Sequence, residues 1–174
     1  MKAIAFCAPH WELVFDKILT IDGYGVKTRG SDLYSYRGPV LCYTTVKDHK
    51  GPMRSHLKTD VPRGVVGVAL LEDIRELTQP EMNKLFLGYN NIDTKEEFDA
   101  AVKAKDSIYP MAFGYFFSRV LRFKQSFIPP QQHLYGPVGE IPLYPEITKQ
   151  LPVWAKPEPS KPTRAIKRRG VTRR

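Results

Sequence analysis

The amino-acid sequence predicts an α+β fold: a small mixed β-barrel whose mouth is covered by an N-terminal helix, with a helical insertion and a disordered, basic C-terminal arm. Three observations predict it. Candidate elements run strand, helix, strand and then several further strands, the order of a small barrel with one covering helix. With 174 residues, 42% of them apolar and 11% aromatic, the chain can bury one core, and 26% charged residues suit a surface in water. The formal charge of +9 sits mostly behind residue 155, where eight basic residues from Lys156 to Arg174 face the single Glu158 and leave +2 for the rest.

Residues 2–6 have strand character, and Pro9 suits the start of a helix on which Trp11, Val14, Phe15 and Ile18 recur at the spacing of one buried face. Gly23 and Gly25 break that run, and 26–29 read as a strand before the polar turn at Ser31 and Asp32. After the Arg37-Gly38 turn, β-branched and aromatic residues from Pro39 to Thr45 predict the next strand. Val46 to Arg63 is basic and lacks an apolar period, so it is expected to be a mobile surface loop able to clamp a ligand. Gly64 to Ile74 reads as a buried strand, and period-two alternation places Glu72 in line with Val66, Val68, Leu70 and Ile74.

An insertion at about 78–108 follows: Pro80-Glu81 opens one helix, and Thr94 with Glu97 has the spacing of a capping box for a second. Phe113 to Phe123 alternates as a strand, Pro129-Pro130 ends the run after it, and a last short strand is expected near Gly139 to Leu143. These elements make one domain over 1–150. Residues 151–174 form a proline-containing linker and basic tail, since KPEPSKP favours an extended spacer and Arg164 to Arg174 has too little apolar content to fold alone.

Several classes are excluded. The N-terminal MKAIAFCAPHWELV lacks the shape of a secretory signal and no stretch approaches a membrane span, so a cytoplasmic location and no membrane partner are expected. Cys7 and Cys42 are too few for a disulfide framework and are expected to be reduced packing residues. His10, His49, His56 and His133 have no metal-ligand spacing and are expected at the surface or at caps, so no metal is predicted. No phosphate-cradling glycine loop is present, and no cofactor is expected.

The runs PHWELVFDKI, VKTRG, YRGPVLCYTT, VPRGVVGVALLEDI and MAFGYFF resemble, in that order, the successive blocks of ASCH domains in the PUA-like superfamily, over roughly residues 3–145. The resemblance implies a closed barrel with a cleft beside the first helix, and a family whose members bind RNA or act on nucleosides. The family's signature loop reads Gly-x-Lys-x-x-Glu-x-Arg just after the first helix, and this chain lacks the glutamate. If Arg29-Gly30 is aligned with the end of that signature, Lys27 stands where the family usually has the acid. Relatives that remove acyl groups from modified cytidine use a lysine, a threonine three residues later and a glutamate from a later strand. Lys17 and Thr20 have that spacing, although Lys17 lies on the predicted helix; Lys27 and Thr28 are adjacent. Both placements of the signature lysine stay open.

For RNA, positive groups neutralise phosphates and aromatic faces hold unstacked bases. Arg29, Arg37, Arg54 and Arg63 come from turns and the basic loop around the expected cleft, with Tyr36 and Tyr43 interleaved, and Lys167, Arg168 and Arg169 belong to a tail that grips phosphates without reading bases. RNA binding, to a single-stranded or structured segment, is therefore the leading expectation. The alternative is a hydrolase on the same scaffold, an amidohydrolase of modified cytidine or a ribonuclease. Lys27 and Glu72 would then be catalytic, because a carboxylate desolvated on an apolar strand face is the better base. A third alternative is a structural subunit of a ribonucleoprotein or viral assembly, with the helical insertion as its protein interface.

Overall fold

The structure is a computed structural model that describes residues 1–8, 10–30, 35–48, 62–90, 92–104, 109–130 and 138–157. The apolar face of the first helix and the alternation of the strands converge on one sheet. Its strands are β1 (Lys2–Ala8), β2 (Thr20–Ile21), β3 (Tyr24–Arg29), β4 (Gly38–Asp48), β5 (Gly64–Glu76), β6 (Phe113–Phe127) and β7 (Val138–Glu140), in the spatial order β2-β3-β6-β5-β4-β1-β7. The pairs are antiparallel except β1 with β4, which run parallel with Ala3 opposite Leu41. Helix α1 (His10–Phe15) crosses one face, and α4 (Pro145–Thr148) with a 3-10 turn at Val153–Ala155 covers the other.

The fold is mixed α+β as predicted, but among the described residues the barrel does not close. A flat sheet would hold β3 and β1, four strand steps apart, roughly 19 Å from each other. Yet the Arg29 guanidinium donates to the Ala5 carbonyl of β1 at 2.7 Å, so the sheet is strongly curled. On the free side of β1, Lys2 to Ile4 pair with β7, and at Ala5 the carbonyl accepts from the Arg29 side chain.

Helix α1 is shorter than its sequence pattern. Trp11 and Val14 are fully buried among Ile4, Phe6, Leu71 and Phe117, and the Trp11 indole donates to the Ile4 carbonyl at 3.3 Å. Lys17 then takes a left-handed φ of 58°, and the amides of Ile18 and Leu19 both return to the Leu13 carbonyl, which ends the helix. The reversal corrects the predicted face: Leu19 is buried and Ile18 is 47% exposed. Asp22 and Gly23, both at positive φ, then make the two-residue turn of a tight hairpin between β2 and β3, an element the sequence reading did not include.

In β5 the period-two expectation fails. Val66, Ala69, Leu71 and Ile74 face the α1 core while Val65 and Val68 face the other, an assignment that strict alternation cannot give. Three register shifts against β6 account for it, and the last, between Leu71 and Asp73, turns Glu72 into solvent.

Between β5 and β6 lie α2 (Gln79–Asn90) and α3 (Lys95–Lys103), the predicted insertion, with the Thr94–Glu97 capping box formed at the start of α3. Leu85 and Tyr89 of α2 pack on Leu19, Ile21 and Val26, so the insertion is the outer wall of the β2–β3 hairpin. Burial continues past residue 150, through Leu151 to Ala155. The basic loop over 49–61, with Arg54, and the arm from 158, with Lys167, Arg168 and Arg169, lie outside the described residues.

Candidate nucleic-acid interface

The strand β3 is short and polar at its end, yet Gly25 to Thr28 are all buried, because the core lies on one side and α2 on the other. Two cations are carried into that layer. The Lys27 amine, only 9% exposed, donates to the Tyr89 hydroxyl of α2 at 3.1 Å and lies 5.6 and 5.2 Å from the ring centres of Phe6 and Tyr89. Thr28 brings its hydroxyl within 3.5 Å of the same phenol oxygen, and His10 meets the Tyr89 ring edge-on at 6.0 Å. Arg29 stands over Phe6 at 4.8 Å and over Tyr115 at 5.8 Å. Burial pushes its guanidinium below the usual value, an effect partly offset by Tyr115 and Cys7.

An ammonium has three N–H donors. Among the described residues Lys27 uses one, on Tyr89, and no carboxylate lies within ion-pair distance. A buried cation held by a phenol and two aromatic faces retains attraction for an incoming anion or carbonyl, since burial weakens the screening that would otherwise quench it. Arg29 is partly exposed, and through it the cluster reaches the surface.

The other predicted positions do not join this cluster. Tyr36 donates to the Pro39 carbonyl at 3.1 Å, and burial raises its phenol above the usual value. Arg37 is tied to β5, 3.4 Å from the Ile74 carbonyl and 3.6 Å from Asp73. Tyr43 is half-buried against the opposite cluster with Leu41 and Val65. Arg63 donates to the Thr45 carbonyl at 3.0 Å, at the base of the basic loop. Glu72 accepts from Ser118 and opens onto a separate depression of about 170 Å³ with Asp22, Tyr24 and Arg75. Lys17 is exposed in the turn after α1.

Tyr89, His10 and Phe6 were missed as site residues. His10, expected at the surface or at a cap, is 5% exposed as the first residue of α1. Tyr89 follows Leu85 and Phe86 at helical spacing and reads as ordinary helix core. The available signal was the pair of cations on a strand that its neighbours bury.

Among the described residues, no group of three or more His, Cys, Asp or Glu is placed to hold a metal, and no helix is long and apolar enough to cross a membrane. Fold and site together define an α+β protein with a curled sheet that carries an aromatic-framed cationic cluster. No family model matches the chain, and no curated protein does. Among solved structures, the crystal structure of a mutant of the ZmASCH protein from Zymomonas mobilis is similar over 85% of this chain and 93% of that one, at 14% identity and a TM-score of 0.38. A likeness that distant transfers no residue roles.

Proposed function

We propose that this protein is a cytoplasmic RNA-binding module of the ASCH type in the PUA-like superfamily. The Lys27–Arg29 cluster takes a phosphate or base edge of a single-stranded segment, and the basic arm grips the backbone beyond it. The observation that supports this reading is the pair of cations set among aromatic rings, Lys27 buried without a carboxylate partner among the described residues and Arg29 half-buried beside it. A buried charge without a counter-ion weakens the fold, and a ligand that brings the opposite charge relieves that cost. The ordered sequence blocks support the ASCH assignment, and the density of lysine and arginine from Lys156 onward supports a polyanionic partner.

Lys27→Met is the direct test, because it keeps the stem and deletes the charge. Fluorescence anisotropy with a labelled single-stranded RNA is expected to show about a ten- to hundredfold loss of affinity, the ~1.5–3 kcal/mol scale of a hydrogen bond to a charged group. An unaltered Kd in a folded variant would sink the proposal. The parent protein and a Glu72→Ala variant, incubated with acylated cytidine and with RNA, are expected to give no hydrolysis that depends on Glu72. The exposure of that residue, in a depression apart from Lys27, weighs against the hydrolase reading.

A further inference from the structure

The largest depression among those described by volume, about 440 Å³, lies outside the Lys27 cluster, between the N-terminal strand, the turn that enters β4 and the 3-10 turn at Val153–Ala155. Its size falls within the range of ~300–1,000 Å³ typical of small-ligand clefts. Two aromatic side chains line it, Tyr36 and Trp154, with Lys2 and Lys156 on its rim and Pro39 and Leu143 between them. No acidic side chain lines it among the described residues.

Both rings are held by the chain around them. Gly38 has φ +124°, and a Cβ there would stand 2.7 Å from the Tyr36 hydroxyl, so only glycine lets the backbone fold round that ring. The hydroxyl is fixed on the Pro39 carbonyl. Trp154 packs against the cluster of Ile141, Ile147 and Leu151 between the inward Ala155 and the 86% exposed Val153. Its indole N–H has no hydrogen-bond acceptor among the described residues. Lys156 is exposed, and Lys2 shares an exposed ion pair with Glu140, a bond that solvent screens and a phosphate can replace.

We infer that this groove is a second subsite for single-stranded RNA, in which one base lodges against Trp154 and Tyr36 while its flanking phosphates meet Lys2 and Lys156. The inference rests on the RNA-binding reading and adds to it a place, a base contact and a direction. Charge complementarity selects the occupant, because a groove lined by two lysines, Lys156 exposed and Lys2 in a screened pair with Glu140, and walled by aromatic faces matches a nucleotide's anionic and π-faced parts. Continuity in the chain supports it as well: the groove's last lining residue, Pro157, is followed in sequence by the lysine- and arginine-rich arm.

Tryptophan emission gives the test. The chain has two tryptophans, and Trp11 is 1% exposed, so quenching by contact with a ligand reports Trp154. Titration of the full chain with a short oligouridylate is expected to quench part of the emission and to saturate. Inorganic polyphosphate, which engages the arm without a base to stack, is expected to leave it nearly unchanged. Trp154→Ala should weaken oligouridylate binding about tenfold, within the range that one stacked base supplies. Lys27→Met should lower overall affinity and leave the quenching amplitude at saturation intact. Should Trp154→Ala fail to fold, the quenching contrast between the two polyanions decides alone. Oligouridylate that binds with Lys27 dependence but without quenching overturns the groove and leaves the RNA reading standing. Equal quenching by polyphosphate also overturns it, and an absence of any RNA binding overturns both.

Discussion

At the scale of single residues, environment decides what each charged side chain can do. Arg75 lies 4.3 Å over the Phe116 ring and donates to both oxygens of Glu81, which also accepts from the Thr78 amide and hydroxyl. The Arg75 hydrogen bonds are the largest cause that lowers the Glu81 carboxyl, from its usual 4.5 to about 2, with the Thr78 bonds adding to it. A carboxyl lowered on folding contributes stability that is complete above about pH 4.5 and drains away as pH falls towards 2. Glu81→Gln is therefore expected to melt below the parent at pH 7 and level with it near pH 2; a gap of equal size at both pH values in thermal melts would refute the assignment. The cations of the site were legible as residues: Lys27 and Arg29 stand out on a short strand. Their partners were not, because Tyr89 and His10 acquire a role only when α2 and α1 close over β3.

Elements follow the sequence wherever local chemistry sets them and depart from it where the ladder does. The capping box of α3 is written into Thr94 and Glu97 three residues apart in the chain, and strands β3 to β6 follow their β-branched and aromatic runs. The bulges of β5 are not legible, because they come from pairing with β6 and from contact with α1. Gly67 shows the cause. A Cβ there would come within 2.4 Å of the Leu121 carbonyl and 2.6 Å of the Phe15 ring, so the bulge lets β6 and α1 approach at a point where no side chain fits. Backbone cannot yield as a long side chain can. Gly67→Ala is accordingly expected to destabilise the fold by about 1–3 kcal/mol, the scale of overpacking, and to lower Tm by several degrees. Gly30→Ala, whose Cβ would meet nothing nearer than the Met111 sulfur at 4.0 Å, serves as the control and should melt with the parent. Equal melting of the two variants would show that β6 or α1 can shift at no cost, and the account of the bulge at Gly67 would lose its basis.

Across the whole molecule, the curled open sheet keeps apart two places that the sequence reading did not separate. The Lys27 cluster lies between β3 and α2, and the aromatic groove lies at β1 and the 3-10 turn. Strand order and sheet closure are properties of long-range pairing, and local pattern did not give them: the arrangement of β7 on β1 depends on residues 138–140 reaching the N-terminal strand. Charge, in contrast, was fully legible. Residues 158–174 hold seven lysines and arginines against one acid. Each phosphate neutralised on a single strand changes log K by about −0.7 per unit of log salt, so an arm that engages most of its charges dominates the salt slope. A single buried lysine changes that slope by less than one unit and acts instead through a desolvated contact that salt scarcely screens. Deletion of 158–174 should thus flatten log K against log salt by several units and weaken binding most at low salt, whereas Lys27→Met should lower the line nearly in parallel. The measurement is a set of RNA titrations over a range of salt for the parent, the truncation and the point variant. Parallel lines for the parent and the truncation would mean that the arm makes no phosphate contacts, and its charge would then need a different partner.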